Sequence, residues 1–232
     1  MSGEGRMLTR QQAKVFYDRL GAKQDWQAFY EVPVINNLIA HAALEQVQSV
    51  FEFGCGTGAF AERVLSHHLS PRVRYLAVDS SSTMVALART RLARFGERVT
   101  IQQTSGSLQL DAPDGTFDCF VSTYVVDLLP AADIVALLSQ AHRLLTPDGR
   151  LCLVSLTFGR TRLTRLVIWG WRHLHTLRPS LVGGCRPVEL LDFLPETHWR
   201  LDYAQTMTAC GVPSEVVVAS RTVERGRGLL SE

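Results

Sequence analysis

The feature that most constrains this chain is a glycine-rich loop that directly follows an apolar run. Residues 50–58 read Val-Phe-Glu-Phe-Gly-Cys-Gly-Thr-Gly, so glycine stands at every second position from Gly54 to Gly58. Glycine is needed where the backbone turns with φ > 0, or where a ligand lies too close for a Cβ. A helix-like segment, residues 59–67, follows at once. This order of strand, loop and helix predicts a loop that wraps a ligand.

An acid stands at the end of the next apolar run. Asp79 comes 21 residues after Gly58 and directly follows the run 74–78. At that distance in a βαβ unit, a carboxylate lies beside the loop and can accept hydrogen bonds from both hydroxyls of a ribose. An ordinary strand-to-helix turn would explain one glycine, but hardly three together with a spaced acid. These residues therefore predict an adenosine derivative as the ligand.

The glycine spacing discriminates between adenosine derivatives. A dinucleotide site has the spacing G-x-G-x-x-G and directs a helix N-terminus at a pyrophosphate. Here the spacing is G-x-G-x-G, with Glu52 two residues before the first glycine, and no Gly-Lys-Ser/Thr of a P-loop follows. An acid so close to the loop would repel a pyrophosphate but suit an ammonium group. S-adenosylmethionine, which carries an ammonium, a sulfonium and no phosphate, is the predicted cofactor.

At this point the chain resembles the class I S-adenosylmethionine-dependent methyltransferases. Three further segments match the family in order: 78–84, similar to its ribose-binding turn; 114–122, similar to its fourth strand; and 141–153, similar to its helix, Leu-x-Pro-Gly-Gly and strand signature. The resemblance covers residues 48–157. Its layout, with Tyr17-Asp18 near the N-terminus and an insertion after the fifth strand, looks most like the quinone and lipid-head-group small-molecule methyltransferases.

The resemblance implies an α/β, Rossmann-like, doubly wound sheet of seven strands, mostly parallel with the last strand antiparallel, and helices on both faces. The apolar pattern agrees with this fold class, because candidate strands and helices alternate from Ser49 onward. The predicted strands are 49–53, 73–78, 98–103, 117–122, 149–156, 201–207 and 216–220. The predicted helices between them are 59–68, 82–95 and 131–145.

We expect a single domain over residues 9–222, a length that can bury a full core. Residues 9–46 form a helical cap, 48–157 the cofactor-binding core, 159–195 a substrate-side insertion and 199–221 the last two strands. Residues 1–8 and 223–232 are expected to be frayed termini.

The resemblance also assigns cofactor contacts. Gly54, Gly56 and Gly58, with Cys55 between them, approach the methionine portion, while Glu52 orients its ammonium directly or through water. Asp79 accepts from the ribose, and Ser80 starts the turn beside it. The remaining predicted contacts are Tyr17, Met84, Gly106, Ser107, Leu108 and Ser122. For Met84, a place on the core face of the second helix is an equal alternative.

One departure concerns adenine. Many relatives carry an acid followed by a small residue after the third strand, whereas this chain has Gly106-Ser107-Leu108 there. Backbone N–H groups of Ser107 or Leu108, or the Ser107 hydroxyl, could replace the acid. Asp111 and Asp114 are the alternative contacts to the ring, although Asp114 suits a turn.

Candidate acceptor-side residues follow the fourth strand, in the crevice beyond its carboxyl end. Tyr124 and Asp127 are the catalytic candidates, since either could accept or relay an acceptor proton. Asp127 could instead cap the loop before Pro130. Methyl transfer from a sulfonium needs mainly alignment and exclusion of water, so the absence of an obvious strong base is compatible with it.

The most unusual tract is residues 160–178, where arginines and two tryptophans alternate with apolar residues. As a helix it would be amphipathic and basic, either a lid on the domain or an element resting on an anionic lipid surface. Trp169 and Trp171 are candidate substrate contacts. Arg186, after a glycine turn, could hold an anionic part of a substrate.

The composition argues against several other classes of protein. The net charge of +2 gives no bulk attraction to nucleic acid, the five cysteines form no CxxC pair, and no metal site is indicated. Without a signal-peptide core or a long apolar run, a cytoplasmic location is expected, with residues 160–178 as a candidate for peripheral membrane contact.

The predicted function is methyl transfer to a small, apolar, lipid- or quinone-like acceptor. The alternatives are a non-catalytic S-adenosylmethionine-binding protein and a methyltransferase of protein or nucleic acid. The oligomeric state does not follow from the sequence.

Overall fold

A computed structural model describes residues 9–159 and 185–222, and within them seven strands form one sheet. The order across the sheet is β3-β2-β1-β4-β5-β7-β6. The strands are β1 (Ser49–Phe53), β2 (Arg74–Asp79), β3 (Val99–Gln103), β4 (Phe117–Thr123), β5 (Leu145–Leu156), β6 (Trp199–Ala209) and β7 (Val212–Arg221).

Strand directions confirm the predicted fold class. The first five strands run parallel, whereas β7 is antiparallel to both of its neighbours, β5 and β6. Both β6 and β7 begin before the predicted starts at residues 201 and 216, because they pair as one long hairpin across Cys210 and Gly211. β5 begins at Leu145, which was predicted to be helical, and a register shift occurs in its pairing with β4.

Helices cover both faces of the sheet. They are α1 (Arg10–Leu20), α2 (Ala28–His41), α3 (Ala59–His67), α4 (Ser82–Leu92) and α5 (Ala131–Leu144). One core cluster contains the buried faces of α2, α3 and α4, and the other contains the buried face of α5. The central strands are buried on both faces, which is why their sequences are almost continuously apolar.

Short 3₁₀ helices connect several of these elements. Gly21–Gln27 joins α1 to α2, and Val126–Leu128 follows β4. A capping box at Thr9 begins α1: its hydroxyl accepts from the Gln12 N–H, and the Gln12 side chain accepts from the Thr9 N–H. This reciprocal pairing satisfies two donors that the helix start would otherwise leave open.

The strand order reverses between β1 and β4, because the chain first builds the sheet outward through β2 and β3 and then returns to the other side of β1. At such a switch point the loops that leave neighbouring strands diverge and open a crevice at their carboxyl ends. The glycine loop after β1, Asp79 at the end of β2 and the segment after β4 all lie at this edge.

Candidate cofactor site

A cavity occupies the crevice at the carboxyl ends of β1, β2 and β4, with α1 over it. Nine of the predicted site residues line it: Tyr17, Gly54, Gly56, Asp79, Ser80, Met84, Gly106, Leu108 and Tyr124. The other described lining residues are Thr9, Ala13, Lys14, Gln24, Phe53, Val78, Thr104, Thr123, Val125, Leu128, Leu129 and Pro130.

The glycine loop is pinned to the end of β2 by its own backbone. The N–H groups of Gly54 and Cys55 donate to the Val78 carbonyl oxygen over 2.8 and 3.1 Å. Gly54 has a φ of +76°, and a Cβ added there would lie 2.4 Å from Cγ2 of Val125. The loop therefore requires glycine at position 54, both for its dihedral angle and for the close approach of Val125.

Asp79 connects this loop to the turn before α4. Its Oδ2 accepts from the Gly56 N–H at 2.9 Å and its Oδ1 from the Ser81 N–H at 2.8 Å. Burial raises the pKa of Asp79 above its ordinary value, although the Ser81 and Gly56 N–H groups act in the opposite direction. Each carboxylate oxygen can accept more than one hydrogen bond. Asp79 can therefore hold the loop and still accept from a ligand in the cavity.

Asp18 fastens α1 over the cavity. Its Oδ1 accepts from the Ser81 hydroxyl at 2.6 Å, and its Oδ2 pairs with the Lys14 ammonium at 2.7 Å. Burial opposes ionisation of Asp18, but hydrogen bonds from Lys14 and Ser81 outweigh it and lower its pKa to about 2. The carboxylate also lies at the N-terminus of α4, where helix N–H groups favour a negative charge.

A second polar network fixes the connection between α1 and α2. The Asp25 carboxylate accepts from the Thr57 hydroxyl at 2.7 Å and forms an ion pair with Arg91 of α4. The Arg91 guanidinium also donates to the Thr57 hydroxyl at 2.6 Å. The 3₁₀ helix that precedes α2 is thereby tied to the residue between Gly56 and Gly58, so the N-terminal cap and the glycine loop form one structure.

Glu52 lies behind the loop and is not among the described residues that line the cavity. It is fully buried, and its Oε2 accepts from the Tyr75 hydroxyl at 2.9 Å. Burial raises its pKa to about 7; the Tyr75 hydrogen bond acts against this and the nearby Asp79 adds to it. In this arrangement Glu52 makes its hydrogen bond with β2, away from the space a cofactor would take.

We predict that Glu52 makes stability depend on pH. A carboxyl whose pKa is raised by folding contributes stability below its ordinary pKa, and that contribution is lost as the pH rises through about 7. We therefore expect the free energy of unfolding, measured with urea, to fall less between pH 5 and pH 8 in Glu52→Gln than in the wild type. The difference between the two falls should be about 2 kcal/mol. Glu45→Gln, at an exposed acid, is the control. An unchanged pH dependence in Glu52→Gln would contradict the prediction.

Four other predicted cofactor residues lie next to the cavity without lining it. Gly58, with a φ of +80°, packs against Ala88 of α4, so its missing Cβ serves the contact between helices. Cys55 is buried in the core cluster, and the buried Ser122 hydroxyl donates to the Phe53 carbonyl at 3.0 Å. Ser107 is exposed.

The segment predicted to read adenine contributes its backbone and one apolar side chain. Gly106 and Leu108 line the cavity together with Thr104. Met84 lies on the core face of α4 and also borders the cavity. Asp114 instead pairs with Arg143 on the outside of α5, and neither it nor the exposed Asp111 lines the cavity.

On the side of β4, Tyr124 has an unusual backbone. Its φ is +55°, a left-handed conformation that costs a non-glycine residue roughly 1–2 kcal/mol and that occurs often at functional sites. Tyr124 lines the cavity, while its hydroxyl donates to the Oγ of the buried Ser214 at 3.1 Å and its ring meets that of Tyr30 edge-on. Burial raises the pKa of Tyr124 well above its ordinary value.

Asp127 is fully buried and is not among the described lining residues. Its carbonyl oxygen accepts from the Arg186 N–H at 3.0 Å, and the Arg186 guanidinium donates to the Leu129 carbonyl at 2.7 Å. Burial raises the pKa of Asp127 to about 7, against a lowering effect of the Leu156 N–H. Arg186 thus supports the wall formed by Leu128–Pro130. Trp169 and Trp171 lie outside the described residues.

Several lining residues were not predicted. The apolar wall of Val125, Leu128 and Leu129 follows the fourth strand directly, so its position could have indicated it. Lys14 lies one helical turn before Asp18, beside the Tyr-Asp segment. Gln24 belongs to no motif, and nothing in the sequence marks it. No group of three or more His, Cys, Asp or Glu suited to a metal ion occurs among the described residues.

Comparison with known proteins agrees with this geometry. Residues 50–149 match a protein-family model described as a methyltransferase domain. By this match, residues 50–149 are similar to methyltransferase domains. The match runs from β1 through the turn in β5, and so contains the glycine loop, Asp79 and the segment after β4. The cofactor of the domain is S-adenosylmethionine.

Individual relatives differ in what their names say they methylate. An arsenite methyltransferase from Aquipseudomonas alcaligenes is 34% identical over 121 residues, covering 49% of this chain and 34% of the relative. The tRNA N(3)-methylcytidine methyltransferase Mettl2 of Drosophila melanogaster is 25% identical over 142 residues, covering 60% and 43%. The chain thus spans less than half the length of these curated relatives.

A solved structure extends the likeness to nearly the whole chain. The N-methyltransferase NodS from Bradyrhizobium japonicum WM9, in complex with S-adenosyl-L-homocysteine, has a TM-score of 0.65 and 17% identity. The alignment covers 91% of this chain and 99% of NodS. At this identity the likeness establishes a shared fold.

The residues present suit the cofactor of the methyltransferase domain. The glycine loop offers backbone without side chains, Asp79 offers acceptors, and Met84 and Leu108 offer apolar surface for a ring. Neither α1 nor α2, nor any other helix of the described residues, is long and apolar enough to cross a membrane.

Proposed function

We propose that this chain transfers the methyl group of S-adenosylmethionine to a small, largely apolar acceptor of the lipid or quinone class. The observation that carries the proposal is the composition of the wall beyond the glycine loop. Phe53, Val125 and Leu128–Pro130 line that part of the cavity with apolar side chains. Such a surface gains free energy by taking apolar area out of water, at roughly 25 cal/mol per Å².

The cap over the site also favours a small acceptor. Contacts from Asp18 and Asp25 to α4 and the glycine loop hold α1 and the following 3₁₀ helix across the cavity. A cover held in this way restricts entry to molecules that fit beneath it and keeps water out of the site. The tRNA-directed relative keeps an RNA acceptor as the main competing hypothesis.

The proposed roles of this chain's residues concern binding and alignment. S-adenosylmethionine supplies a methyl group on a sulfonium, which is already a good leaving group. Asp79 accepts from the ribose, the backbone of Gly54 and Gly56 borders the methionine portion, and Gly106 and Leu108 border the adenine. Fixing an acceptor in line can supply ~7–11 kcal/mol of barrier reduction without a strong base.

Of the two catalytic candidates, we propose that Tyr124 contacts the acceptor. Its side chain lines the cavity, and its hydroxyl can exchange the hydrogen bond with Ser214 for one to a polar atom of the acceptor. Asp127 is fully buried and absent from the described lining residues, and we propose that its carboxylate, which accepts from the Leu156 N–H at 3.5 Å, holds the segment after β4 against β5. In this account Asp127 positions the acceptor and takes no proton from it.

Replacing Tyr124 with Phe should slow methyl transfer about fivefold, because one hydrogen bond to the acceptor is worth about 1 kcal/mol. The measurement is the initial rate of label transfer from methyl-labelled S-adenosylmethionine, together with calorimetric affinity for S-adenosylhomocysteine. The affinity should stay within about twofold of the wild type. Tyr203→Phe, at a hydroxyl that donates to Asn37 and is absent from the described lining residues, is the control. An unchanged rate would remove Tyr124 from the acceptor contacts.

The acceptor class is tested by fractionation. Purified protein is incubated with methyl-labelled S-adenosylmethionine and cell extract, and the label is measured in organic, aqueous and precipitated fractions. We expect label in the organic fraction. Label found only in the precipitate would overturn the proposal in favour of a macromolecular acceptor, and nuclease or protease treatment would then show which kind.

A further inference from the structure

Gln24 presents its amide to the glycine loop. It lies in the 3₁₀ helix Gly21–Gln27 and lines the cavity. A Cβ added to Gly56 would lie 3.0 Å from Gln24 Oε1 and 3.1 Å from Nε2, so the side chain occupies the space left by that glycine. Gln24 therefore borders the part of the cavity next to the glycine loop.

The Gln24 Oε1 is buried and has no hydrogen-bond partner within residues 9–159 and 185–222. Leaving a buried carbonyl oxygen unpaired costs about 1–3 kcal/mol, so such an atom calls for a physical explanation. Because this oxygen can only accept a hydrogen bond, the missing partner must be a donor. A ligand in the cavity would bring that donor.

The position of Gln24 is fixed independently of any ligand. Its chain neighbour Asp25 is bonded to Thr57 and Arg91, which hold the 3₁₀ helix against the glycine loop and α4. An acceptor that is held in place before binding loses little conformational freedom when the ligand arrives. The orphan oxygen is thus a preformed feature of the site.

We propose that Gln24 Oε1 accepts a hydrogen bond from the α-ammonium group of S-adenosylmethionine. The inference depends on the cofactor orientation proposed above, with the ribose at Asp79 and the amino-acid end along Gly54 and Gly56. The ammonium is the donor at that end, whereas the carboxylate offers only acceptors. Gln24 then takes the part that the sequence suggested for Glu52, whose carboxylate is engaged by Tyr75.

The test compares two ligands that differ only at the amino-acid end. S-adenosylhomocysteine carries the ammonium and carboxylate, while 5′-methylthioadenosine keeps adenine, ribose and sulfur but lacks both. In Gln24→Ala, calorimetry should show about a tenfold loss of affinity for S-adenosylhomocysteine. Affinity for methylthioadenosine should stay within about twofold. Gln27→Ala, in the same 3₁₀ helix and absent from the described lining residues, is the control for both ligands.

The Gln24→Glu variant shows whether Gln24 contacts the ammonium or the carboxylate of the ligand. Glu keeps the acceptor oxygen and loses the amide donor, so affinity for S-adenosylhomocysteine should exceed that of Gln24→Ala. Affinity below that of Gln24→Ala would overturn the assignment to the ammonium. An equal loss for both ligands in Gln24→Ala would also overturn it, since Gln24 would then only support the fold. If neither ligand binds the wild type, the proposed cofactor site is wrong, and this outcome is distinct from one in which only the role of Gln24 is wrong.

Discussion

Replacing Asp79 with Asn should weaken the affinity for S-adenosylhomocysteine about 100-fold, equivalent to about 3 kcal/mol. The change keeps the size of the side chain but replaces one acceptor oxygen with a donor NH₂ group. Two interactions suffer together: the proposed hydrogen bonds from the ribose, and one of the bonds that Asp79 accepts from the Gly56 and Ser81 N–H groups. Calorimetric titration measures the loss directly.

The control for this variant is Asp111→Asn. Asp111 was an alternative candidate for reading adenine, but it is exposed and not among the described lining residues. Its affinity should equal that of the wild type. Thermal unfolding without ligand separates binding from stability, because Asp79→Asn should remain folded. An affinity within threefold of the wild type would remove Asp79 from the ribose contacts.

The second large effect concerns the glycine loop itself. Gly54→Ala should lower the free energy of unfolding by about 3 kcal/mol. The alanine would have to adopt a φ of +76°, and its Cβ would lie 2.4 Å from Val125 Cγ2. Strain in the left-handed region contributes roughly 1–2 kcal/mol and overpacking roughly 1–3 kcal/mol. Urea denaturation measures the sum.

Two further variants separate these contributions. Gly115→Ala also requires a positive φ, +59°, but its added Cβ would have nothing within 4 Å, so it should lose only about 1 kcal/mol. Adding Val125→Ala to Gly54→Ala removes the two Cγ contacts at 2.4 and 3.1 Å and should recover part of the loss. If Gly54→Ala is no less stable than Gly115→Ala, the close contact with Val125 does not constrain the loop.

The fold could be predicted from the sequence because its signals are local. Alternating apolar segments and the motifs at 50–58 and 141–153 identify strands, helices and their order, and the observed sheet confirms them. The boundaries of β6 and β7 were less accurate, since a hairpin continues as long as cross-strand pairing holds, even through polar residues. The apolar pattern of residues 201–207 does not indicate how far that pairing extends.

The site could be predicted only in part, for a related reason. Residue type and spacing identify Gly54, Gly56 and Asp79 as site residues, and all three line the cavity. The position of Glu52 next to the loop is an equally clear signal. In the structure, however, Glu52 is buried behind the loop, and its carboxylate accepts a hydrogen bond from the Tyr75 hydroxyl. Gln24 has no signal, because its importance comes from the helix that brings its amide to Gly56. Contacts between distant segments decide such cases.

The most direct test of the account is a crystal structure of the protein with S-adenosylhomocysteine. The account predicts the ligand in the cavity at the carboxyl ends of β1, β2 and β4, with its ribose hydroxyls bonded to Asp79 and its ammonium facing Gln24. Its sulfur should point toward the wall of Val125 and Leu128. A ligand bound elsewhere, or in this cavity with its ribose away from Asp79, would contradict the account.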